Sequence, residues 1–358
     1  MNIQVNLADI IFLIKMTVSS FKFLLQGLFP LLAVYFFLCN SAISSENGQI
    51  RVSAQDIETF QKEANQGDAE AQFLLGFCYY KGNGAGRDFT EAAKWFRKSA
   101  EQGNAASQNC LGVCYYFGRG VIQDLAEATK WYRKAANQGE ANAQHALGNQ
   151  YSKGEGLPKD LAEAVRWYSK AAEQGNAEAE NSLGACYSLG EGVTQDFAKA
   201  AKLFKMASDQ GNSQAQLNLG VCYYRGEGVS KDYIEAIRLY RAAADQGNAH
   251  AQFNLGWCYY TGKGTPKDDA EEVRWFRKAA DQGYAEAQEM LGICYAKGEG
   301  VPKDEVIAYM WLNIASTSDR TEAMKRRERL AQRMTKTQIA EAQRMSREWR
   351  PKQEVADR

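Results

Sequence analysis

A cysteine, two tyrosines and a glycine-containing turn stand together in the stretch LGVCYYFGRG, residues 111–120. Cys114 has the chemistry of a redox thiol or a metal ligand, and Gly118 and Gly120 could belong to a loop that cradles phosphate. The same stretch could also be one turn of a larger structure that performs no chemistry. Its recurrence along the chain decides between these interpretations.

The chain repeats itself every 36 residues. The pairs Gln-Gly and Leu-Gly each recur seven times at this interval without a gap, starting at 66–67 and 75–76. Seven repeats therefore fill residues 69–320, and we number positions within each repeat from its first residue, Ala69 in the first. A motif that returns in every repeat indicates repeated structure rather than a single active site.

Each repeat predicts two helices. Positions 1–13 are rich in Ala, Gln, Leu and Tyr, and the glycine at position 14 can take the left-handed conformation that ends a helix. Asp at position 20 then begins a second helix, and in five repeats a Glu three residues later predicts a capping box. Such a helix pair buries its apolar stripes only when stacked on copies of itself. The sequence thus predicts an all-α fold, an α/α superhelical solenoid.

The shared pattern AEAQFNLG, followed by CYY, Gly-x-Gly and Gln-Gly-Asn, resembles the Sel1-like repeat, a relative of the tetratricopeptide repeat; the sixth repeat begins AHAQFNLG. The resemblance implies a superhelical scaffold that binds proteins or peptides and has no catalytic activity. A half repeat at 54–68, with Phe60 in the aromatic place, precedes the array, and capping helices at 321–350 and a tail at 351–358 follow it. The predicted repeats are 69–104, 105–140, 141–176, 177–212, 213–248, 249–284 and 285–320.

Cysteine occupies position 10 in six repeats, and this regularity predicts a small buried apolar residue. Equivalent positions in neighbouring repeats would lie about 8–10 Å apart, beyond the roughly 7 Å that a disulfide allows. Cys110 lies four residues before Cys114, but no further metal ligands are evident, so we expect neither a metal nor a cofactor. The six cysteines are Cys78, Cys114, Cys186, Cys222, Cys258 and Cys294.

No catalytic residues are predicted. Gly-x-Ser-x-Gly and His-Glu-x-x-His motifs are absent from the sequence, and Ser-x-x-Lys occurs only at Ser19 and Lys22, beside the N-terminal apolar segment. The chain has 43 Lys and Arg against 43 Asp and Glu. This zero net charge gives no electrostatic support for nucleic-acid binding.

Positions 5, 9 and 12 of each first helix lie opposite the near-constant core positions 3, 7, 10 and 11, and they change from repeat to repeat. We call these positions the variable face. In tetratricopeptide arrays the corresponding face lines the concave groove, so it is the predicted partner-binding groove; alternatively, positions 5 and 9 pack on the neighbouring first helix. The candidate binding residues are Phe73, Phe77, Tyr80, Val113, Tyr116, His145, Asn149, Tyr224, Phe253, Trp257 and Tyr260.

The function expected from these features is that of a monomeric, non-enzymatic scaffold whose partner is a protein or peptide, since groove aromatics suit peptide anchoring. The alternative is a module that binds a small ligand, such as a cell-wall fragment, around His145 and Asn149.

Residues 1–42 contain a basic residue, an apolar run and then small residues, the order found in a signal peptide. An uncleaved membrane anchor, or neither of the two, remains open, as does a start at Met1 or Met16. Residues 43–53 are a predicted linker. We therefore expect a secreted or periplasmic protein, or a membrane-anchored one, that contacts membrane only through this segment if it is not cleaved.

Two charge anomalies stand out. Glu272 occupies position 24, where the other repeats have alanine, and we expect its carboxylate to snorkel outward or the helix to shift. Residues 321–358 hold 11 Lys and Arg against 6 Asp and Glu, so the net charge is +5. This region could contact an acidic partner or anionic lipid, or form a solvated cap. Within it, Thr335 and Gln338 predict a capping box that opens a last helix with a packing stripe of Ile339, Ala342, Met345 and Trp349.

Overall fold

The computed structural model describes residues 52–318 and 320–352, and the regular structure in them is α-helical throughout. The predicted leader at 1–42 and most of the predicted linker lie outside the described residues. Contacts divide the chain into two compact units, Met1–Trp167 and Tyr168–Arg358, which are described separately. We call them the N-terminal and the C-terminal unit.

Six helices lie wholly within the N-terminal unit, and each packs on the next in chain order. The helix that contains the division, α7, spans Leu161–Glu173. The six are α1 Ala54–Asn65, α2 Ala69–Lys81, α3 Phe89–Glu101, α4 Ala105–Phe117, α5 Leu125–Asn137 and α6 Ala141–Lys153.

Ten helices lie wholly within the C-terminal unit. They pack in order from α8 to α16, and the last helix packs on α15. Together with the first unit, they confirm the predicted all-α solenoid of helix pairs. The ten are α8 Ala177–Leu189, α9 Phe197–Asp209, α10 Ser213–Arg225, α11 Tyr233–Asp245, α12 Ala249–Thr261, α13 Asp269–Asp281, α14 Ala285–Lys297, α15 Glu305–Ser316, α16 Thr321–Ala331 and α17 Lys336–Glu348. None of the described helices is long and apolar enough to cross a membrane.

The turns inside each repeat follow the predicted chemistry. Gly118 ends α4 in the left-handed conformation, with φ 68°, and Gly120 follows with φ 72°. Asp124 then caps α5, because its side chain accepts hydrogen bonds from the amides of Ala126 and Glu127. The predicted capping box also requires the Glu127 side chain to accept a hydrogen bond from the Asp124 amide, and this half differs. The Glu127 carboxylate lies within hydrogen-bond distance of the ammonium of Lys130, one turn further along the helix.

Alanine, leucine and cysteine at positions 3, 7 and 10 form the core, as predicted. In the second repeat, Leu111 and Cys114 are buried against Ala92 and Phe96 of the preceding second helix. Gly112 lets the two helices of the repeat approach, since a Cβ there would come within 2.6 Å of the Tyr132 ring. Residues 111–120 therefore form a helix end and a turn around a packed core.

A buried hydrogen-bond chain, which sequence analysis missed, links successive repeats. Gln108 at position 4 donates from Nε2 to the carbonyl oxygen of Ala100, at 3.1 Å. Its Oε1 accepts from Gln138, whose Nε2 is 2.8 Å away. Repeats 1, 3, 6 and 7 make the first bond in the same way as repeat 2, and position 4 is glutamate only at Glu180, which still accepts from Gln210 at 2.8 Å. Burial raises the pKa of Glu180, and its carboxylate has no amide hydrogens to donate.

Glu272 contradicts the prediction that its carboxylate would snorkel. The side chain is only 1% exposed, on α13. Its Oε1 accepts from the thiol of Cys294, at 3.2 Å, while Oε2 is buried without a hydrogen-bond partner. The helix keeps the same bounds as its counterparts, because Val273 and Phe276, which follow the glutamate and are buried in one core, fix which face the helix presents.

Some basic side chains of the C-terminal region form internal ion pairs, so the region is not a solvated face throughout. Arg326 contacts Glu289 at 3.3 Å and Arg333 contacts Glu305 at 2.9 Å. Arg320, which directly precedes the region, contacts Glu286 at 2.6 Å and Glu289 at 2.7 Å. The predicted capping box at Thr335 is formed. Ala342 is buried, and the three other residues of the predicted stripe pack against the same core, with the Trp349 ring 5.8 Å from that of Trp311.

Candidate partner-binding surface

A pocket of about 310 Å³ opens in the C-terminal unit between α10 and α12. It combines positions of the variable face from repeats 5 and 6 with a tyrosine from the second helix of repeat 5. Three of the predicted binding residues, Tyr224, Phe253 and Trp257, lie in its wall. The complete lining is Val221, Tyr224, Arg225, Tyr240, Phe253, Asn254 and Trp257.

The rings on α12 form a row along one face of the helix. Phe253 and Trp257 are stacked, with centroids 6.4 Å apart and an interplanar angle of 28°. Tyr260 continues the row, 5.3 Å from Trp257. Phe253 and Tyr260 are half-buried, whereas Trp257 is 36% exposed although tryptophan is a large apolar residue. Trp257 is thus available to a partner in a way that its neighbours are not.

Tyr284 extends this row at the expense of a helix cap. It occupies the N-cap position of α14, where it makes no side-chain cap hydrogen bond. The six preceding repeats place Asp, Asn or Glu there, and the loss of such a cap typically costs about 1 kcal/mol. The ring instead packs 5.2 Å from Phe253 and 4.6 Å from His250. Tyr284, the last residue of repeat 6, therefore lengthens the aromatic surface while it leaves the first helix of repeat 7 without a side-chain cap.

Two cations flank the pocket. Arg225 lines it, and the weak contact of its guanidinium with Glu227, at 3.7 Å, leaves the arginine side chain 63% exposed. Lys263 places Nζ 5.3 Å from the Tyr224 ring centroid and 5.8 Å from that of Tyr233. A hydrogen bond with the Tyr224 hydroxyl raises the pKa of Lys263, so its positive charge is retained at physiological pH.

The N-terminal unit carries a second aromatic cluster on its own variable face. The Phe73 ring lies 6.2 Å from both Phe77 and Phe96. Phe77 is 39% exposed, whereas Phe73 and Tyr80 are half-buried. The guanidinium of Arg119 lies over the Tyr80 ring, 5.5 Å from its centroid, and is hydrogen-bonded to the tyrosine hydroxyl.

The remaining candidates lie in the same unit and are half-buried. Val113 packs against the core around Tyr132, and the Tyr116 hydroxyl donates to Glu155 at 2.5 Å. This hydrogen bond raises the pKa of Tyr116. His145 Nε2 and Asn149 Nδ2, one turn apart on α6, lie 3.4 Å from each other.

The family model of the Sel1 repeat matches the chain seven times in succession. The matched residues are 69–104, 105–140, 141–176, 177–212, 213–248, 249–284 and 285–319. The chain belongs to the Sel1 repeat family.

Two solved structures support the fold. A Sel1 repeat protein from Oxalobacter formigenes is 34% identical, with 68% of this chain and 96% of that chain covered and a TM-score of 0.63. A protective antigen present in uropathogenic Escherichia coli strains, which displays an SLR fold, is 31% identical, with 83% and 79% covered and a TM-score of 0.50. No curated protein matches the chain.

Within these Sel1 repeats, the three positions of the variable face differ in how far they are buried. At position 5 the Leu217 side chain is buried, and so is Glu289, which pairs with Arg320. At position 12, the tyrosines of repeats 1, 2 and 5 contact position 15 of the following repeat, 39 residues later. The three pairs are Tyr80 with Arg119, Tyr116 with Glu155 and Tyr224 with Lys263. Position 9 holds the exposed aromatics. That this position binds a partner stays a prediction.

The cysteines of the Sel1 repeats are poorly suited to thiol chemistry. The described cysteines are free, and burial raises the pKa of Cys114 to about 12, which keeps the thiol protonated and weakly nucleophilic. Within residues 52–318 and 320–352, no group of three or more His, Cys, Asp and Glu side chains could hold a metal ion.

Proposed function

We propose that this Sel1 repeat chain is a non-enzymatic scaffold that binds a protein or peptide through its variable face. The main subsite is the pocket between α10 and α12, into which an apolar side chain of the partner inserts. The second subsite is the Phe77 cluster of the N-terminal unit. Both carry an exposed aromatic residue at position 9 beside half-buried rings that hold it in place.

The exposure of Trp257 is the observation that carries this proposal. A core role would bury the indole, as in Trp275, which is 2% exposed on the neighbouring second helix. Trp257 instead stands at the mouth of an apolar pocket, supported by Phe253 and Tyr260. Tryptophan and tyrosine in such pockets dominate the binding energy of many protein interfaces.

We expect the Trp257→Ala variant to lose partner binding while it keeps its fold. Peptides selected from a phage-displayed random library on the full chain should bind the variant at least tenfold more weakly, the loss typical of an aromatic anchor. Helix content and the thermal midpoint, followed by circular dichroism, should change little because the indole is partly solvated. The matched control is Phe77→Ala, the position-9 aromatic of the other unit, which should leave binding at the α10–α12 pocket intact.

Two outcomes would contradict the proposal. Unfolding of the Trp257→Ala variant would assign the indole to the core. Selected peptides that bind the unmodified chain and the Trp257→Ala variant equally would place the main subsite outside the α10–α12 pocket.

We further propose that the protein acts outside the cytoplasm. The support is the signal-peptide order of residues 1–42 and the similarity to an antigen, since a protective antigen must be reachable by the immune system. Mass spectrometry of the protein from its native cells should find a mature N-terminus near Ile43. An N-terminus at Met1 or Met16 would contradict cleavage and leave anchoring as the alternative.

A further inference from the structure

We infer that the α10–α12 pocket selects an acidic peptide segment, in which a large apolar side chain is flanked by aspartate or glutamate. This inference rests on the proposed function and adds the chemical class of the partner. It is carried by the lining of the pocket and by the charges at its rim.

The size and lining of the pocket suit one side chain. Its volume, about 310 Å³, lies at the lower end of the range of roughly 300–1,000 Å³ for ligand pockets. Phe253 and Trp257 form one wall and Val221 with Tyr224 the opposite wall, so a leucine or phenylalanine side chain would contact apolar surface on both sides. Asn254 offers a side-chain amide that can bond to the peptide backbone.

The charge in the wall of the pocket is positive. Among the described residues that line it, Arg225 alone is charged. Lys263 lies beyond Tyr224 with the faces of two tyrosine rings as its neighbours. Glu227 contacts Arg225 only at 3.7 Å, and Lys267 is paired with Asp269 at 3.1 Å. A carboxylate that follows the apolar anchor would therefore approach Arg225 and Lys263 without meeting an acidic neighbour in the pocket wall.

The position that Lys263 occupies carries opposite charges in different repeats. It occupies position 15, where four of the seven repeats have glutamate and only repeats 2 and 6 have a cation. In repeat 3 the equivalent Glu155 accepts a hydrogen bond from Tyr116. Packing over a position-12 tyrosine is therefore compatible with either sign of charge. The two cations stand in different registers relative to the exposed aromatics: Lys263 is in the same repeat as Trp257, whereas Arg119 is in the repeat after Phe77. The place of Lys263 beside Tyr224, which lines the pocket, points to an acidic ligand.

The test uses three fluorescein-labelled peptides and the full chain, with binding followed by fluorescence anisotropy. The peptides are GSDEFEDSG, its lysine counterpart GSKKFKKSG, and GSDEAEDSG, which lacks the apolar anchor. We expect the first to bind about tenfold more tightly than either of the others, and its affinity to fall as salt is raised.

The double variant Arg225→Gln, Lys263→Gln should lose about tenfold in affinity for GSDEFEDSG. Lys297→Gln is the matched control, because Lys297 holds the same position 13 as Arg225 but pairs with Glu299 at 3.2 Å, away from the pocket lining. This control should bind all three peptides as the unmodified chain does.

Each alternative result has a distinct meaning. Equal binding of the acidic and lysine peptides, still lost in Trp257→Ala, overturns the acidic selectivity but preserves the proposed function. Binding of an N-acetylglucosamine oligosaccharide in place of every peptide overturns both and favours a cell-wall ligand. A loss of acidic-peptide affinity in Lys297→Gln equal to that of the double variant would show that only long-range charge is involved, and would overturn the assigned contact.

Discussion

Replacement of Gly120 by alanine is expected to destabilise the N-terminal unit by about 4 kcal/mol or more, in the range that marks an exceptional single substitution. Gly120 has φ 72°, and a Cβ there would lie 1.9 Å from the carbonyl oxygen of Phe89 and 2.2 Å from its carbonyl carbon. Phe89 is the first residue of α3, so this backbone cannot move without displacing the helix. The substitution therefore tests the contact between the turn of one repeat and the preceding second helix.

Gly139→Ala is the matched control for backbone strain. Gly139 also has a left-handed φ, 94°, but nothing lies within 4 Å of its would-be Cβ. Its substitution should cost only about 1–2 kcal/mol, the conformational penalty alone. Urea denaturation of both variants, followed by circular dichroism, measures the difference. Equal losses would show that the close approach of Gly120 to Phe89 adds nothing to stability.

The periodicity of the sequence was sufficient to predict the fold. Each repeat signals its helix ends locally, because a left-handed glycine and an aspartate cap act within a few residues. The Leu and Cys that recur at positions 7 and 10 predicted the core, because residues that recur in every repeat on one helix face share one environment. The hydrogen-bond chain through Gln108 was missed because glutamine in a helix resembles a solvated residue until its partner, 30 residues away, is placed beside it.

The candidate site was predictable only in part. Variation at positions 5, 9 and 12 identified the face that carries Trp257 and its pocket. The variation did not show that position 9 is exposed while position 12 is covered, because the side chain that covers Tyr80 is Arg119, 39 residues later. Tyr284 was also missed: it stands outside the variable positions, and only its ring contacts with Phe253 and His250 reveal its place in the aromatic row.

Glu272 shows how a local rule fails where packing decides. A carboxylate in an alanine position was expected to reach water, but the side chain lies on the face of α13 that packs against α14, beside Cys294. The thiol offers one weak hydrogen bond, which is much less than the hydration that the carboxylate loses.

Glu272→Ala is therefore expected to stabilise the C-terminal unit by about 1–3 kcal/mol, the cost of a buried polar group without its partners. Alanine occurs at this position in the six other repeats, where Ala236 and Ala308 are fully buried, so the backbone already accommodates it. The gain should appear as a higher midpoint of urea denaturation with an unchanged slope.

The stabilisation should depend on pH. Burial raises the pKa of Glu272 above its ordinary value of 4.5 and is the largest effect. The hydrogen bond from Cys294 and the charge of Lys267 lower this pKa, whereas the charges of Asp269 and Glu299 raise it. Cys294 is itself neutral, because burial raises its pKa. The folded state thus holds the Glu272 proton more tightly than the unfolded state, and stability falls as pH rises above 4.5. Since alanine removes this decline, its advantage should be larger at pH 7 than at pH 4.

Two further variants separate charge from shape. Glu272→Gln should remove the pH dependence while it leaves a polar group in the core, so its gain at pH 7 should be smaller than that of alanine. Ala236→Glu, the reverse change at the same position of repeat 5, should destabilise and should introduce the same decline with pH. If Glu272→Ala lowers stability at pH 7, the carboxylate has partners that compensate its burial, and the assignment of Oε2 as unpaired is wrong.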